Sequence, residues 1–268
     1  MALLDELKVR YPNQVHSQPQ SATLFEVLNA AVPPFNNLKA RQAVSYAVDR
    51  DKLVELYGGP SVAVATCQML PPKFPSYKWN CPYTTGPPDG RYHGPDLKRA
   101  LELVRASGTK GMHVTIHGAL GGVGPTIDAY FRQVLEQLGY QVTLHQLPDI
   151  SDDFLWTPQN HMQALSGEWL ADFPLASNFY NALVRCANNL GEYCNRALDQ
   201  RAARATALQA TDPGAALRAW TEIDRTITDQ VPIVPTVNLI ETTFVSARVG
   251  NYQSNPTVGP LLSQLWVK

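Results

Sequence analysis

The chain has 268 residues, with 22 Lys and Arg against 23 Asp and Glu, a formal net charge of -1. That balance argues against a basic nucleic-acid footprint and against a polybasic membrane anchor, so no nucleic-acid partner is expected for this chain. A hydrophobic fraction of 44% with 17% charged residues is globular composition, and the long charge-free stretch at residues 111–127 holds glycines and histidines that make it a poor membrane span.

In chain order, residues 1–10 are no secretory signal: two acids interrupt the apolar run and no small-residue cleavage site follows. Residues 23–30 read as a strand stopped by Val32-Pro33-Pro34. Leu38, Ala43, Val44 and Ala47 can share a helical face, and Asp49 offers an N-cap for a second helix over 52–57, ended by Gly58-Gly59. A proline-rich excursion runs to about Pro95. Asp96 then caps a helix in which Leu97, Ala100, Leu101 and Val104 follow helical spacing up to Ser107-Gly108. The clearest unit comes next. A strand at 113–116, a glycine-rich turn at 118–124, a helix opened by Pro125 and a strand at 141–144 make a βαβ unit with a parallel pair. A short strand over 162–165 precedes helices at about 177–184, 197–210 and 213–229. Strands at 232–237 and 242–249 close the chain. The fold class is α/β, a mixed sheet flanked by helices.

Four cysteines fall into two near pairs across irregular loops, Cys67 with Cys81 and Cys186 with Cys194. Neither is C-x-x-C and no His stands at finger-like distance, which speaks against zinc. An even count in local pairs is the oxidising-compartment pattern and predicts those two disulfides, each restricting the unfolded chain by roughly 2–3 kcal/mol. The competing reading is four unrelated thiols in a reducing compartment.

Three motifs invite chemistry. Gly118, Gly121, Gly122 and Gly124 sit between strand and helix, with Asp149 beyond the second strand, but the spacing is not G-x-G-x-x-G and no Lys-Ser/Thr follows, so a plain turn is favoured over a nucleotide site. His113 and His117 share a strand face with His145 next door, yet no carboxylate accompanies them, and neither a metal nor a cofactor is expected. Asp152-Asp153 reads as turn chemistry. The segment Gly167-Glu168-Trp169-Leu170-Ala171-Asp172-Phe173-Pro174 differs. An acid flanked by aromatics just past a short strand can hold an ammonium group by charge and ring faces together. The competing reading is that Asp172 caps the helix near Ser177 while Trp169 is core.

Several segments together resemble the family 5 extracellular solute-binding proteins, the peptide and nickel receptors of ABC importers. Residues 37–50, with Arg41-Gln42-Ala43 and Ala47-Val48-Asp49-Arg50 bracketing a helix, resemble that family's most recognisable stretch. Trp169-Leu170-Ala171-Asp172-Phe173-Pro174 with Asn178-Phe179 resembles its W-x-A-D-Y-P-x-x-x-N-F element, although Leu175-Ala176 stands where Asp-Pro is frequent. Residues 195–199, 220–224 and 231–235 resemble its later helices and the strand after them, in the family's order. The resemblance implies a lobe of the type II periplasmic-binding-protein fold, covering only the carboxy-terminal part of such a receptor. Residues 1–35 would lead in from the missing amino-terminal lobe, 36–230 would form the solute-binding lobe around the βαβ core, and 231–268 would return toward the hinge.

The cysteine pairs resemble a branch with two local disulfides, which also occurs fused to transcriptional regulators. The function implied is non-catalytic capture of a small-molecule or peptide solute in an interlobe cleft, with Asp172 receiving an amino terminus, Trp169 and Phe173 lining the wall, and an ABC permease as partner. Such a receptor is extracytoplasmic. A ligand-sensing module of a regulator, cytoplasmic, is the alternative, and a nucleotide-dependent enzyme built on 118–124 is the second rival. Arg41 and Asp49 would be structural.

Overall fold

A computed structural model describes residues 2–148, 162–186, 189 and 191–268. In chain order the elements are α1 (Ala2–Arg10), β1 (Val15–Pro19), β2 (Ala22–Leu28), α2 (Leu38–Ala47), α3 (Arg50–Leu56), β3 (Ala63–Ala65), α4 (Leu97–Ser107), β4 (His113–Ala119), α5 (Gly124–Gln137), β5 (Gln141–Leu147), β6 (Ala164–Leu170), α6 (Ala176–Leu183), α7 (Arg196–Leu208), α8 (Pro213–Gln230) and β7 (Ile233–Phe244), followed by short two-residue pairings in the tail. Side-chain caps set most helix starts. Asn37, Asp49, Asp96, Asn195 and Asp212 each accept a backbone N–H two or three residues on, ahead of α2, α3, α4, α7 and α8.

The main sheet runs β1-β7-β2-β6-β4-β5, with β3 also on β7. β4 is parallel to β5 and to β6, whereas β2 is antiparallel to β6 and β7, so the sheet is mixed. The parallel β4–β5 pair joined through α5 is the βαβ unit expected from the sequence. β2 lies at the centre, and its alternation feeds two cores. Leu24 and Leu28 pack with Val114, Ile116, Phe131 and Leu135 under α2, α4 and α5. On the other face, Phe25 and Val27 pack with Leu165, Phe179, Trp220 and Ile227 under α6, α7 and α8.

Two arginines tie distant backbone together. Arg41 donates to the carbonyl oxygens of Phe35, Gln230 and Val231. Arg50, fully buried, donates to those of Thr66 at 2.8 Å, Pro235 at 3.0 Å and Ser45 at 3.2 Å. Asp49 caps α3 through Lys52 N–H. All three residues are structural.

Cys67–Cys81 and Cys186–Cys194 are disulfides, with Cα separations of 5.1 and 4.4 Å. Inside the first loop, Gln68 donates to the buried carboxylate of Asp224 on α8 at 2.8 Å and accepts from Asn80 N–H.

Several elements differ from the sequence expectation. β6 extends to Leu170 rather than ending at 165, because its polar run 166–168 still pairs along β2. The strands expected at 232–237 and 242–249 are one strand, β7. Its interior Asn238 is no turn residue; the amide donates to Ala22 O and Thr23 Oγ1. α1 and the polar β1 carry no apolar periodicity that would announce them. β1 and β2 run one after the other along β7, which buries Phe25 and Ile233 and leaves Phe244 48% exposed. Asp149 and Asp152-Asp153 lie outside the described residues.

Candidate functional site

The site is built where β6 runs out. Beyond the pairing of His117 with Leu165, β4 no longer follows β6, so among the described residues 166–170 are paired on one side only, by β2. The chain leaves the sheet at Ala171, whose N–H donates to Ser21 O at 2.9 Å. Trp169 therefore belongs to the strand, opposite Thr23, rather than to a loop past it. Its ring is half-buried against the second core.

Asn178, on the first turns of α6 and nearly buried, organises the junction between strand and helix. Its Oδ1 accepts Trp169 Nε1–H at 2.7 Å and Asp172 N–H at 3.3 Å, and its Nδ2 donates to Asp172 Oδ2 at 2.8 Å. One amide thus fixes the indole and the carboxylate relative to each other, using donor and acceptor ends together. Asp172 is exposed, and it does not cap α6, whose N-cap position is Leu175 with no side-chain bond. The capping alternative falls for that reason. Phe173, Leu170 and Leu175 stand exposed around it.

Chemically, this is an exposed, oriented carboxylate beside a half-buried indole and a strand edge that is unpaired among the described residues. It can accept a cationic donor and pair main-chain groups. Asn178 is the residue that sequence reasoning left without a role; its place five residues after Phe173 in the W-x-A-D element was the available signal.

The other motifs are not drawn into this site. Gly118 belongs to β4, and a Cβ there would collide with the Asp128 carboxylate, so close helix–strand packing accounts for that glycine. His113 contacts Thr143 Oγ1 at 2.9 Å, and the His117 and His145 rings lie 5.2 Å apart across the parallel pair. Among the described residues no group of three or more His, Cys, Asp or Glu is placed to hold a metal.

The sequence matches a family model along most of its length. The family model "Bacterial extracellular solute-binding proteins, family 5 Middle" matches residues 2–191. The chain belongs to that family. Among curated proteins it is 23% identical over 273 residues to the periplasmic oligopeptide-binding protein OppA of Escherichia coli, covering 93% of this chain and 46% of that protein. It is likewise 23% identical over 249 residues to a probable di/tripeptide-binding protein of Pseudomonas aeruginosa, covering 91% of this chain and 45% of that protein. The chain thus spans about half the length of the curated relatives it matches. Solved structures agree on the fold. The clavulanic acid biosynthesis oligopeptide binding protein 2 superposes with a TM-score of 0.87 at 23% identity, over 100% of this chain and 50% of that one. A dipeptide binding protein from Pseudoalteromonas, in complex with Met-Leu, gives 0.75 at 21% identity, over 100% and 52%.

Proposed function

We propose that this chain is one lobe of an extracytoplasmic, non-catalytic receptor that captures a peptide and delivers it to an ABC importer. The ligand-bearing lobe would be built on residues 36–230 together with β2 and β7, which lie in the middle of its sheet. The remaining parts of 1–35 and 231–268 would carry the connections toward a second lobe supplying the other wall of the cleft. The observation that carries this reading is the Asp172 carboxylate, exposed yet tethered by Asn178, at the end of a strand with one edge unpaired among the described residues.

A peptide has the matching features in the matching order. Its ammonium terminus is a charged donor for Asp172, its first residues can line up along 166–170 by main-chain pairing, and its side chains can meet Trp169 and Phe173. Binding by both lobes would favour the closed state, since only closure brings both sets of contacts to one ligand. Two disulfides support an oxidising compartment, and the membership of a solute-binding family supports capture rather than catalysis.

The test is calorimetry on the two-lobed receptor with a short peptide and its N-acetylated form. Asp172→Asn should weaken the free-amine peptide by about 1.5–3 kcal/mol, the scale of a charged hydrogen bond, and leave the acetylated peptide as it was. Equal affinity of wild type and variant for the free-amine peptide would refute the assignment.

A further inference from the structure

On the sheet face opposite Trp169, elements meet in a polar cluster with two buried acids that the peptide reading does not use. Glu26 of β2 is 1% exposed and Asp128 of α5 also 1%. The hydroxyl of Ser166 on β6 lies between them, 2.7 Å from Glu26 Oε2 and 3.4 Å from Asp128 Oδ1. Gln146 of β5 donates to Asp128 Oδ2 at 3.3 Å. Glu26 Oε1 is buried with no hydrogen-bond partner.

Counting hydrogens decides the protonation. A serine hydroxyl has one hydrogen and can satisfy one of its two carboxyl neighbours. If both acids were ionised, Glu26 would be a buried anion with a single donor, a bare second oxygen and another carboxylate across the same hydroxyl. Among the described residues the ion pairs lie elsewhere and include none of these acids. A buried charge so placed is expensive. If Glu26 is neutral, its O–H donates to Ser166 Oγ and Ser166 passes its own hydrogen to Asp128, which then receives from both Ser166 and Gln146. Glu26 Oε1 becomes the carbonyl oxygen of a neutral acid, for which a missing partner costs far less.

We propose that Glu26 stores a proton through neutral pH, and that the chain Glu26–Ser166–Asp128 is a proton-dependent clamp holding β2, β6 and α5 together beneath the strand that carries Trp169. The groups facing it are Asp128 from α5, Ser166 and Glu168 from β6, Gln146 from β5 and Tyr57 from the end of α3. Burial first, and Asp128 as well, hold Glu26 well above the ordinary carboxyl range, with Ser166 opposing. The Tyr57 phenol is raised mainly by burial and then by Glu26, Glu168 and Asp128. Ionisation of Glu26 would place two anions across one hydroxyl and loosen the seam at Ser166, three residues before Trp169. The folded chain holds this proton more firmly than the unfolded one. The clamp's stabilisation is therefore complete below the ordinary glutamate range and fades as pH rises toward the value Glu26 has in the fold.

Infrared spectroscopy on the 268-residue chain tests this. At neutral pH the wild type should show the C=O stretch of a protonated carboxyl group, and 13C labelling of glutamate, not of aspartate, should move it. The band should vanish in Glu26→Gln and persist in Glu168→Gln. Melting profiles give a second readout: Glu26→Gln, which keeps a donor at this place, should show a smaller decline in melting temperature than wild type on going from mildly acidic to alkaline pH, the part due to Asp224 remaining. Absence of the band, its movement with aspartate label, its persistence in Glu26→Gln or its loss in Glu168→Gln would each overturn the proposal. Should Glu26→Gln fail to fold, the labelled wild type and Glu168→Gln still decide it.

Discussion

Removing the Asn178 side chain tests whether the Trp169–Asp172 arrangement is built or incidental. Asn178→Ala deletes the bond from Trp169 Nε1–H at 2.7 Å and the bond to Asp172 Oδ2 at 2.8 Å. A neutral bond of this kind contributes about 1 kcal/mol and one to a charged group about 1.5–3 kcal/mol. Asp172 is exposed and rehydrates when released, so the lower end applies there. The half-buried indole N–H keeps less access to water. The expected loss is about 2–3 kcal/mol, a substantial part of a typical 5–15 kcal/mol domain stability. Urea denaturation should show a lower midpoint with an unchanged slope, and Trp169 emission, isolated by difference against Trp169→Phe, should shift to the red. Asn178→Asp adds the opposite test. It sets a second carboxylate against Asp172, so it should be at least as damaging at neutral pH and recover as pH falls and the introduced acid takes up a proton. A loss below about 0.5 kcal/mol, on the scale of an ordinary surface substitution, with unchanged emission would refute the idea that Asn178 holds the site.

Arg50→Met should cost about 3 kcal/mol in denaturant, since the buried carbonyls of Thr66 and Pro235 lose their donor, and Arg50→Lys should not restore it because an ammonium lacks the planar fork that reaches both; a variant within 1 kcal/mol of wild type would count against this role. Asp224 is pushed up to about 6 by burial, which Gln68 and the Met69 and Leu70 amides only partly oppose. Stability should therefore fall by about 3 kcal/mol as pH rises from about 4 through 6, and Asp224→Asn should flatten that part of a melting-temperature profile. With Phe244, Val258, Leu262 and Trp266 all exposed, the isolated 268-residue chain should self-associate, and a monomeric sedimentation profile across concentrations would exclude it.

Legibility in the sequence followed the kind of interaction involved. Where structure rests on local chemistry, it could be read directly: Asp49, Asp96 and Asp212 announce helix starts because a cap is decided within three residues. The βαβ unit was equally open, since Pro125 and the stripe Ile127, Phe131, Val134, Leu135 obey a short period. Elements that depend on distant partners were not. Ser166-Gly167-Glu168 looks like the end of a strand until β2 is placed beside it, and Asn238 looks like a turn until Ala22 and Thr23 accept its amide. The candidate site divides in the same way. Trp169, Asp172 and Phe173 stand out as a local cluster of chemistry, whereas the partnership with Asn178 needs the fold of α6 back onto β6. Glu26 gave no signal at all, because a single acid in an apolar strand shows its meaning only when Ser166 and Asp128 arrive from elsewhere.

The position of β7 imposes an order on folding. This strand supplies the second neighbour of β2 and the carbonyl oxygen of Pro235 for Arg50, while the α8–β7 junction supplies those of Gln230 and Val231 for Arg41. All of these come from beyond residue 229, yet they serve groups within the first fifty. During synthesis these residues therefore carry two arginines without their final acceptors and a central strand with a bare edge until residues 230–244 have been made. Contacts of such long sequence separation form late and slowly. This sheet should thus remain open to chaperones or to a translocation channel until β7 has been made, and close when β7 enters it.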